Sequence, residues 1–267
     1  MGALFRAAGE TIEPAERVGG CVLMRRLKLV LEYDGTAYHG WQVQPGLDTI
    51  QGRLEAALSR LAGSPIHVMG AGRTDAGVHA LGQVASCSAE VRLDDLSVRR
   101  ALNAILPEDI VVKNVDPAPA EFDARRSARM KTYRYTLLRR AYPSALEGRY
   151  SLYVPYAVDM VAMAEAAQYL VGTHDFSAFR AGACAAATPI RTLNRAVWRA
   201  QGDLWHFEVD GNAFLQYMVR IIVGTLLDVG RGRRRPAEIP EILASRDRRR
   251  AGKTAPPHGL CLVAVGY

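Results

Sequence analysis

Hydrophobic positions along the chain switch between strand-like alternation and helical spacing, and those switches predict the elements. Leu27-Lys-Leu-Val-Leu-Glu-Tyr33 partly alternates and is rich in large apolar side chains, so it reads as a strand that ends at the turn pair Asp34-Gly35. Ile50, Leu54, Ala57, Leu58 and Leu61 then recur at helical spacing, with Asp48 and Thr49 placed to cap the start. Ile66 to Met69 and Gln83 to Ser88 read as two strands, Asp94 caps a helix carrying Leu96, Leu102 and Ile105, and Ile110 to Val115 reads as another strand. The order is β-α-β-β-α-β.

The second half repeats that order. Strand Lys131 to Leu138 precedes a helix from Asp159 to Val171, strands lie at Arg191 to Ala200 and Leu204 to Val209, and a helix from Phe214 to Val229 leads to a last strand, Leu260 to Gly266. Trp205, Phe207 and Val209 alternating with His206 and Glu208 form the clearest strand signal in the chain. A short helix over Ala237 to Ala244 reads as an insertion. Two tandem split β-α-β units predict an α+β fold with antiparallel sheets, ferredoxin-like halves and a cleft where they meet. Asp116-Pro-Ala-Pro-Ala120 marks the linker, which gives an extension over 1–24, a first half over 25–120 and a second over 121–267. The extension shows no amphipathic period and is expected to be disordered, with Met24 a candidate true start.

Composition narrows the class of partner. With 267 residues, 49% hydrophobic, the chain can fill a real core. A formal charge of +7 and a pI near 9.4 favour a polyanionic partner without specifying one. Four cysteines, Cys21, Cys87, Cys184 and Cys261, stand far apart with no CxxC pair, which argues against a zinc ribbon or a disulfide scaffold and suits a reducing cytoplasm. Glu10, Glu13 and Glu16 interrupt any signal-peptide core, and no stretch approaches the roughly 20 apolar residues of a membrane span.

Gly70-Ala-Gly72-Arg-Thr-Asp75-Ala-Gly77-Val-His79 is the most unusual stretch, placing an arginine and a carboxylate among three glycines that let the backbone turn and approach a ligand. It lacks the third glycine of a dinucleotide fingerprint, and Val78 and His79 stand where a P-loop needs Lys and Ser or Thr. On residues alone, an Asx turn centred on Asp75 with Arg73 as a surface charge remains open.

Gly72-Arg-Thr-Asp-Ala-Gly-Val-His-Ala80 resembles the active-site motif of the tRNA pseudouridine synthase A (TruA) family. The resemblance extends from Leu27 through Tyr33-Asp-Gly-Thr36, Gly40-Trp-Gln42, Gln83-Val84, Phe122-Asp-Ala-Arg125, Lys131-Thr-Tyr-Arg-Tyr135, Asp175-Phe-Ser-Ala-Phe179 and Asn212-Ala-Phe-Leu-Gln-Tyr-Met-Val-Arg220, in order. It implies that Asp75 is the catalytic residue of a reaction that breaks the bond from ribose C1′ to uracil N1, turns the base and rejoins it through C5. The carboxylate would either attack C1′ or remove the 2′ hydrogen on the way to a glycal, and sequence leaves both open. Arg220 matches the arginine that pairs with the aspartate, Tyr133 the tyrosine that stacks on the target uracil, and Arg73 an arginine that contacts RNA near the flipped base.

The resemblance further implies a homodimer acting on uridines 38, 39 and 40 of the tRNA anticodon arm, with neither metal nor cofactor. Gln83 and Arg92 are expected RNA contacts, with Arg99 and Arg100 as candidate phosphate contacts. The basic run Arg231, Arg233, Arg234 and Arg235, with Arg246 and Arg248 to Arg250, reads either as an RNA grip or as a solvated face. Gln216 and Ile221 depart from the family pattern, standing where several members carry His and Asn. Two other classes stay in view. A non-catalytic tandem RNA-binding module would use its sheets for stacking, although neither half carries the aromatic-rich RNP signature. A hydrolase using Asp75 and His79 is opposed by the absence of HExxH spacing among the six histidines and of a GxSxG elbow.

Overall fold

Strand β1 (Met24–Tyr33) turns Leu27, Leu29, Leu31 and Tyr33 into the core, as its alternation predicts, and is the first element of a computed structural model that describes residues 24–182, 184 and 186–267. The predicted N-terminal extension lies outside the described residues, apart from Met24. β1 pairs antiparallel with β3 (His79–Glu90) on one side and β4 (Ile110–Pro117) on the other. Helix α1 (Ile50–Ala62) starts where Thr49 accepts a hydrogen bond from the Gly52 amide and stops at Gly63, which takes φ +70. Asp94 caps α2 (Asp95–Ile105) through the Ser97 amide. The strand expected over Ile66 to Met69 shrinks to β2 (Met69–Gly70), held on β3.

In the second half, β5 (Met130–Leu138) carries the short parallel β6 (Leu152–Tyr153), and Asp159 caps α3 (Met160–Gln168). A four-residue strand absent from the sequence reading, β7 (Gly172–Asp175), adds to β8 (Ile190–Gln201), which pairs with β9 (Leu204–Gly211). After α4 (Met218–Gly230) and α5 (Glu238–Ser245), β10 (Leu260–Gly266) returns to pair with β5. The helix expected from Phe214 begins four residues later. Tyr217 sits in the left-handed region at φ +64, a conformation no helix interior accommodates, and Asn212 turns its side-chain oxygen onto the Ala213 amide.

The strands form one mixed sheet, in the order β4-β1-β3-β10-β5-β9-β8-β7, rather than a separate antiparallel sheet for each half. The junction is a short parallel pairing of β3 with β10, Cys261 with His79 and Leu262 with Ala80. Joining there satisfies backbone groups that two free edges would leave unpaired. Gly82 permits the approach, since a Cβ at that position would lie 2.5 Å from the Val263 carbonyl oxygen. The junction places the segment before β3, which holds Asp75, against elements from the far end of the chain.

One close contact sets the geometry of α4. A Cβ at Gly224 would fall 1.7 Å from the Lys253 carbonyl oxygen, so the segment over 251–255 lies directly on the helix backbone. That contact lets the Gly252 amide donate to Thr225 Oγ1 at 2.8 Å and the Ala255 amide to the Arg220 carbonyl at 3.0 Å. Gly224→Ala is therefore expected to destabilise the protein by about 3 kcal/mol, the cost of forcing a methyl into a filled backbone contact, and a denaturant titration measures it.

Candidate active site

The loop carrying Asp75 is braced by the loop after β1. Tyr33 Oη lies 2.9 Å from Thr74 Oγ1, the Trp41 amide donates to the Thr74 carbonyl at 3.0 Å, and the Gly35 amide donates to His79 Nδ1 at 3.1 Å. Within the loop, the Val78 amide closes a turn onto the Asp75 carbonyl at 3.1 Å, and Gly77 takes φ +74. A Cβ at Gly35 would stand 2.1 Å from the Val78 carbonyl oxygen, so the two glycine-containing blocks of sequence interlock. That explains why Tyr33-Asp-Gly-Thr36 and Gly40-Trp-Gln42 accompany the Gly-rich segment: they hold its backbone. His79 is buried, with Nδ1 also 3.0 Å from Asp34 and Nε2 3.2 Å from the His258 carbonyl, and burial pushes its pKa down. It serves the loop and does not face Asp75 as an acid–base partner.

Arg220, 145 positions away in sequence, reaches the carboxylate from the first turn of α4, its Nη1 donating to Asp75 Oδ2 at 3.0 Å. Both side chains are largely buried, at 13% and 20% exposure. The guanidinium is aimed from two further directions: Nε donates to the Ala255 carbonyl at 2.8 Å, and the Tyr217 ring lies under Cζ at 4.8 Å. The left-handed Tyr217 thus ends the preceding loop and supplies the face on which Arg220 rests. Neither Tyr217 nor the Ala255 carbonyl was identified from sequence; a bulky residue among the apolar run before the arginine carries no signal of positive φ.

Burial raises the Asp75 pKa above the ordinary carboxylate value, and the Arg220 hydrogen bond and charge oppose that rise. Asp75 Oδ1 accepts no hydrogen bond from the described residues, so one oxygen is anchored and the other is unpaired among them. Tyr133, on β5, is 7% exposed and meets Phe214 edge-on with ring centroids 5.0 Å apart. Burial pushes its phenol pKa far up, with the charges of Tyr33 and Asp75 adding, so it stays protonated beside the carboxylate. Its same-face neighbour Tyr135 is structural, donating to the Pro256 carbonyl at 2.9 Å.

Other expected residues fall elsewhere. Arg73 is exposed on the same loop, two positions before Asp75. Arg92 is exposed beyond the end of β3 farthest from the loop. Gln83, expected to touch RNA, is fully buried, and its amide donates to the Gly72 carbonyl at 2.8 Å and lies 3.4 Å from Tyr33 Oη. That expectation is corrected: Gln83 props up the loop from below and offers no surface to RNA. Much of the basic run is internally paired, Arg233 and Arg234 with Asp228, Arg235 with Glu238, Arg246 with Asp175, Arg249 with Asp247 and Arg250 with Glu241. Such pairs weaken its standing as a dedicated RNA grip. Among the described residues no cluster of three or more His, Cys, Asp or Glu could hold a metal ion, and no helix is long and apolar enough to cross a membrane.

Residues 29–125 and 166–267 match the family described as tRNA pseudouridine synthase. The chain is 46% identical over 244 residues to tRNA pseudouridine synthase A of Acetivibrio thermocellus, covering 91% of this chain and 100% of that protein. The corresponding protein of Geotalea uraniireducens is also 46% identical over the same shares, and that of Moorella thermoacetica is 47% identical over 247 residues, covering 90% of this chain and 99% of its own. Matches that run through both halves and include the segments bearing Asp75 and Arg220 show that this chain belongs to the tRNA pseudouridine synthase family.

Proposed function

We propose that this chain isomerises uridine to pseudouridine at positions 38, 39 and 40 in the anticodon arm of tRNA, with Asp75 as its catalytic residue. The observation that carries the reading is the Asp75–Arg220 pair, a largely buried carboxylate held by a guanidinium from the opposite half. A module that only bound RNA would have no need to bury that charge, whose desolvation is costly unless the charge is used.

The chemistry balances within the substrate. The N1–C1′ bond breaks, the uracil turns, C5 bonds to C1′, and the proton lost from C5 is matched by one gained at N1. Nothing is oxidised or reduced. Asp75 Oδ1 acts at the ribose, by attack on C1′ or by removal of the 2′ hydrogen, while Arg220 keeps the carboxylate ionised against the upward pull of burial. A stem uridine must leave the helix to be reached, and Tyr133, close enough to feel the Asp75 charge, is the ring proposed to stack on the extruded base. Arg73, exposed two residues ahead of Asp75, suits a contact to the displaced RNA, and Arg92 a more distant phosphate.

The finer architectural reading is of two tandem ferredoxin-like halves over 25–120 and 121–267. The orders β4-β1-β3-β2 and β10-β5-β9-β8 support it, each half repeating the other's arrangement. Assembly as a homodimer in the cytoplasm follows from the family resemblance.

Transcripts that keep a single uridine among positions 38, 39 and 40 test the substrate reading, with pseudouridine mapped after incubation. Conversion at each position is expected; conversion confined to another arm of the tRNA would overturn the assignment. For Tyr133, no described residue bonds the hydroxyl, so Tyr133→Phe is expected to keep near-normal kcat/KM. Tyr133→Leu is expected to lose roughly ten- to a hundredfold, the worth of one base–aromatic stack. Steady-state kinetics on both variants separates the ring from its hydroxyl.

A further inference from the structure

We propose that Lys131, Arg125 and Arg191 form a phosphate-binding site beside the catalytic loop, holding a backbone phosphate of the RNA next to the nucleotide under modification. The inference rests on the function proposed above and adds a site to it.

Lys131 is the central observation. It lies on β5 two residues before Tyr133, on the same face of the strand, and is only 9% exposed. Its side chain runs against the catalytic loop: a Cβ at Gly72 would stand 3.4 Å from Lys131 Cε and 3.9 Å from Nζ. An ammonium is thus delivered three residues ahead of Asp75, to a loop whose Gly72 carbonyl is already fixed by Gln83.

No ion pair among the described residues includes Lys131, and its charged neighbours are cations. Burial depresses its pKa first, and the charges of Arg125 and Arg191 depress it further. Arg125 follows Ala124, which is fully buried with Ala71 and Val84 and whose amide donates to Ser86 Oγ at 3.0 Å, so the arginine is anchored next to the same loop. The nearest acid on that segment, Asp123, directs Oδ1 to the amides of Arg125 and Arg126, at 2.9 and 2.8 Å.

Arg191 arrives from the other side. Lys131 pairs with Gly211, Gly211 with Leu193, and Arg191 stands two residues from Leu193 on the same face of β8. Its Nη1 donates to the Thr188 and Ile190 carbonyls, while its Nε is buried with no acceptor. Three cations from three separate segments therefore act on one another, with Lys131 itself against Gly72, one nine-tenths buried and another with an unspent buried donor.

A core position on β5 is best filled by an apolar residue, and a buried lysine without a counter-charge weakens the fold. An anion supplied by the substrate removes that penalty. For a polyanionic substrate seated with one nucleotide at Tyr133, the anion of fitting chemistry is the phosphodiester flanking that nucleotide.

A tRNA anticodon stem-loop carrying neutral methylphosphonates, one linkage at a time around the target uridine, tests the site by binding alone. In wild type, one flanking linkage is expected to weaken binding by roughly tenfold, the worth of a charged hydrogen bond. In Lys131→Met the same replacement should have no further effect, and the salt dependence of binding should fall by roughly one phosphate, 0.7 to 0.9 in log–log slope. The thermal midpoint of Lys131→Met should match or exceed that of wild type, since an unpaired buried charge is removed. A lysine that merely supported the fold would lower it. Tolerance of every flanking methylphosphonate by wild type overturns the site, as does an undiminished linkage effect in Lys131→Met. Should that variant fail to fold, the linkage scan on wild type still decides, with Arg191→Met as the second background. Because these readouts are of binding, RNA bound with the linkage effect but not isomerised defeats the proposed function and spares the site. Isomerisation without any linkage effect does the reverse.

Discussion

Asp75→Asn is expected to lower uridine isomerisation by at least about 10³-fold while leaving tRNA affinity within about threefold of wild type. Asparagine keeps the size of the side chain and an oxygen that can accept from Arg220, so the loop braced by Tyr33, Trp41 and Gly35 has no reason to move. What disappears is the negative charge of the carboxylate, which is proposed to attack C1′ or take the 2′ hydrogen. Binding depends on the surrounding cations and on stacking, neither of which the substitution touches. Single-turnover conversion, measured alongside equilibrium binding, separates the two effects. A variant that retained a tenth of wild-type turnover would remove Asp75 from the chemistry.

Arg220→Met is the second large effect, expected to reduce kcat/KM at neutral pH by at least about a hundredfold. Hydrogen bond and charge from Arg220 are the two influences that hold the Asp75 pKa down against burial, and the variant removes both. The carboxylate pKa then rises further, and with the ionised form as the proposed active one, the acid limb of the pH–rate profile is expected to move to higher pH. Activity of Arg220→Met should therefore recover in part as pH is raised, with its acid limb displaced to higher pH than that of wild type. Stability should move the opposite way. A carboxylate whose folded pKa lies above its unfolded value contributes its full stability below the unfolded pKa and loses it as pH rises through the folded one. The variant should accordingly become less stable on the same alkaline side where it regains activity. Arg220→Lys, which keeps the charge but not the fork that also engages the Ala255 carbonyl, should fall between. A pH-independent loss in Arg220→Met would show that the arginine acts by position alone.

Some elements of this molecule were legible because local chemistry decides them. Thr49, Asp94 and Asp159 cap the helices they were expected to cap or begin, since a side-chain acceptor before a periodic apolar run is a local arrangement. The strand over Leu204 to Val209 follows from alternation alone. The start of α4 is hidden in the sequence because Phe214, Leu215, Met218 and Val219 keep an apolar pattern compatible with a helix across a turn, and only the left-handed Tyr217 breaks it. β7 was missed because four residues carry no period, and the pairing with β8 that defines it is non-local.

The site divides along the same line. Asp75 stood out among its glycines, but its partnership with Arg220 came through family resemblance, since no spacing rule connects residues 145 positions apart. Gln83 was misjudged because burial cannot be read from a polar residue in a strand. Lys131 leaves a trace in the sequence, a lysine on the alternation face shared with Tyr133 and Tyr135, but its contact with Gly72 is non-local and carries no signal along the chain.

The most direct measurement is release of tritium from tRNA labelled at uridine C5, with purified wild-type protein, a chelator and no added nucleotide. Release is expected to match pseudouridine formed one for one, because forming the C5–C1′ bond expels that hydrogen, and to be absent from Asp75→Asn. Wild-type protein that binds the tRNA tightly but releases no tritium from any anticodon-arm uridine would contradict it.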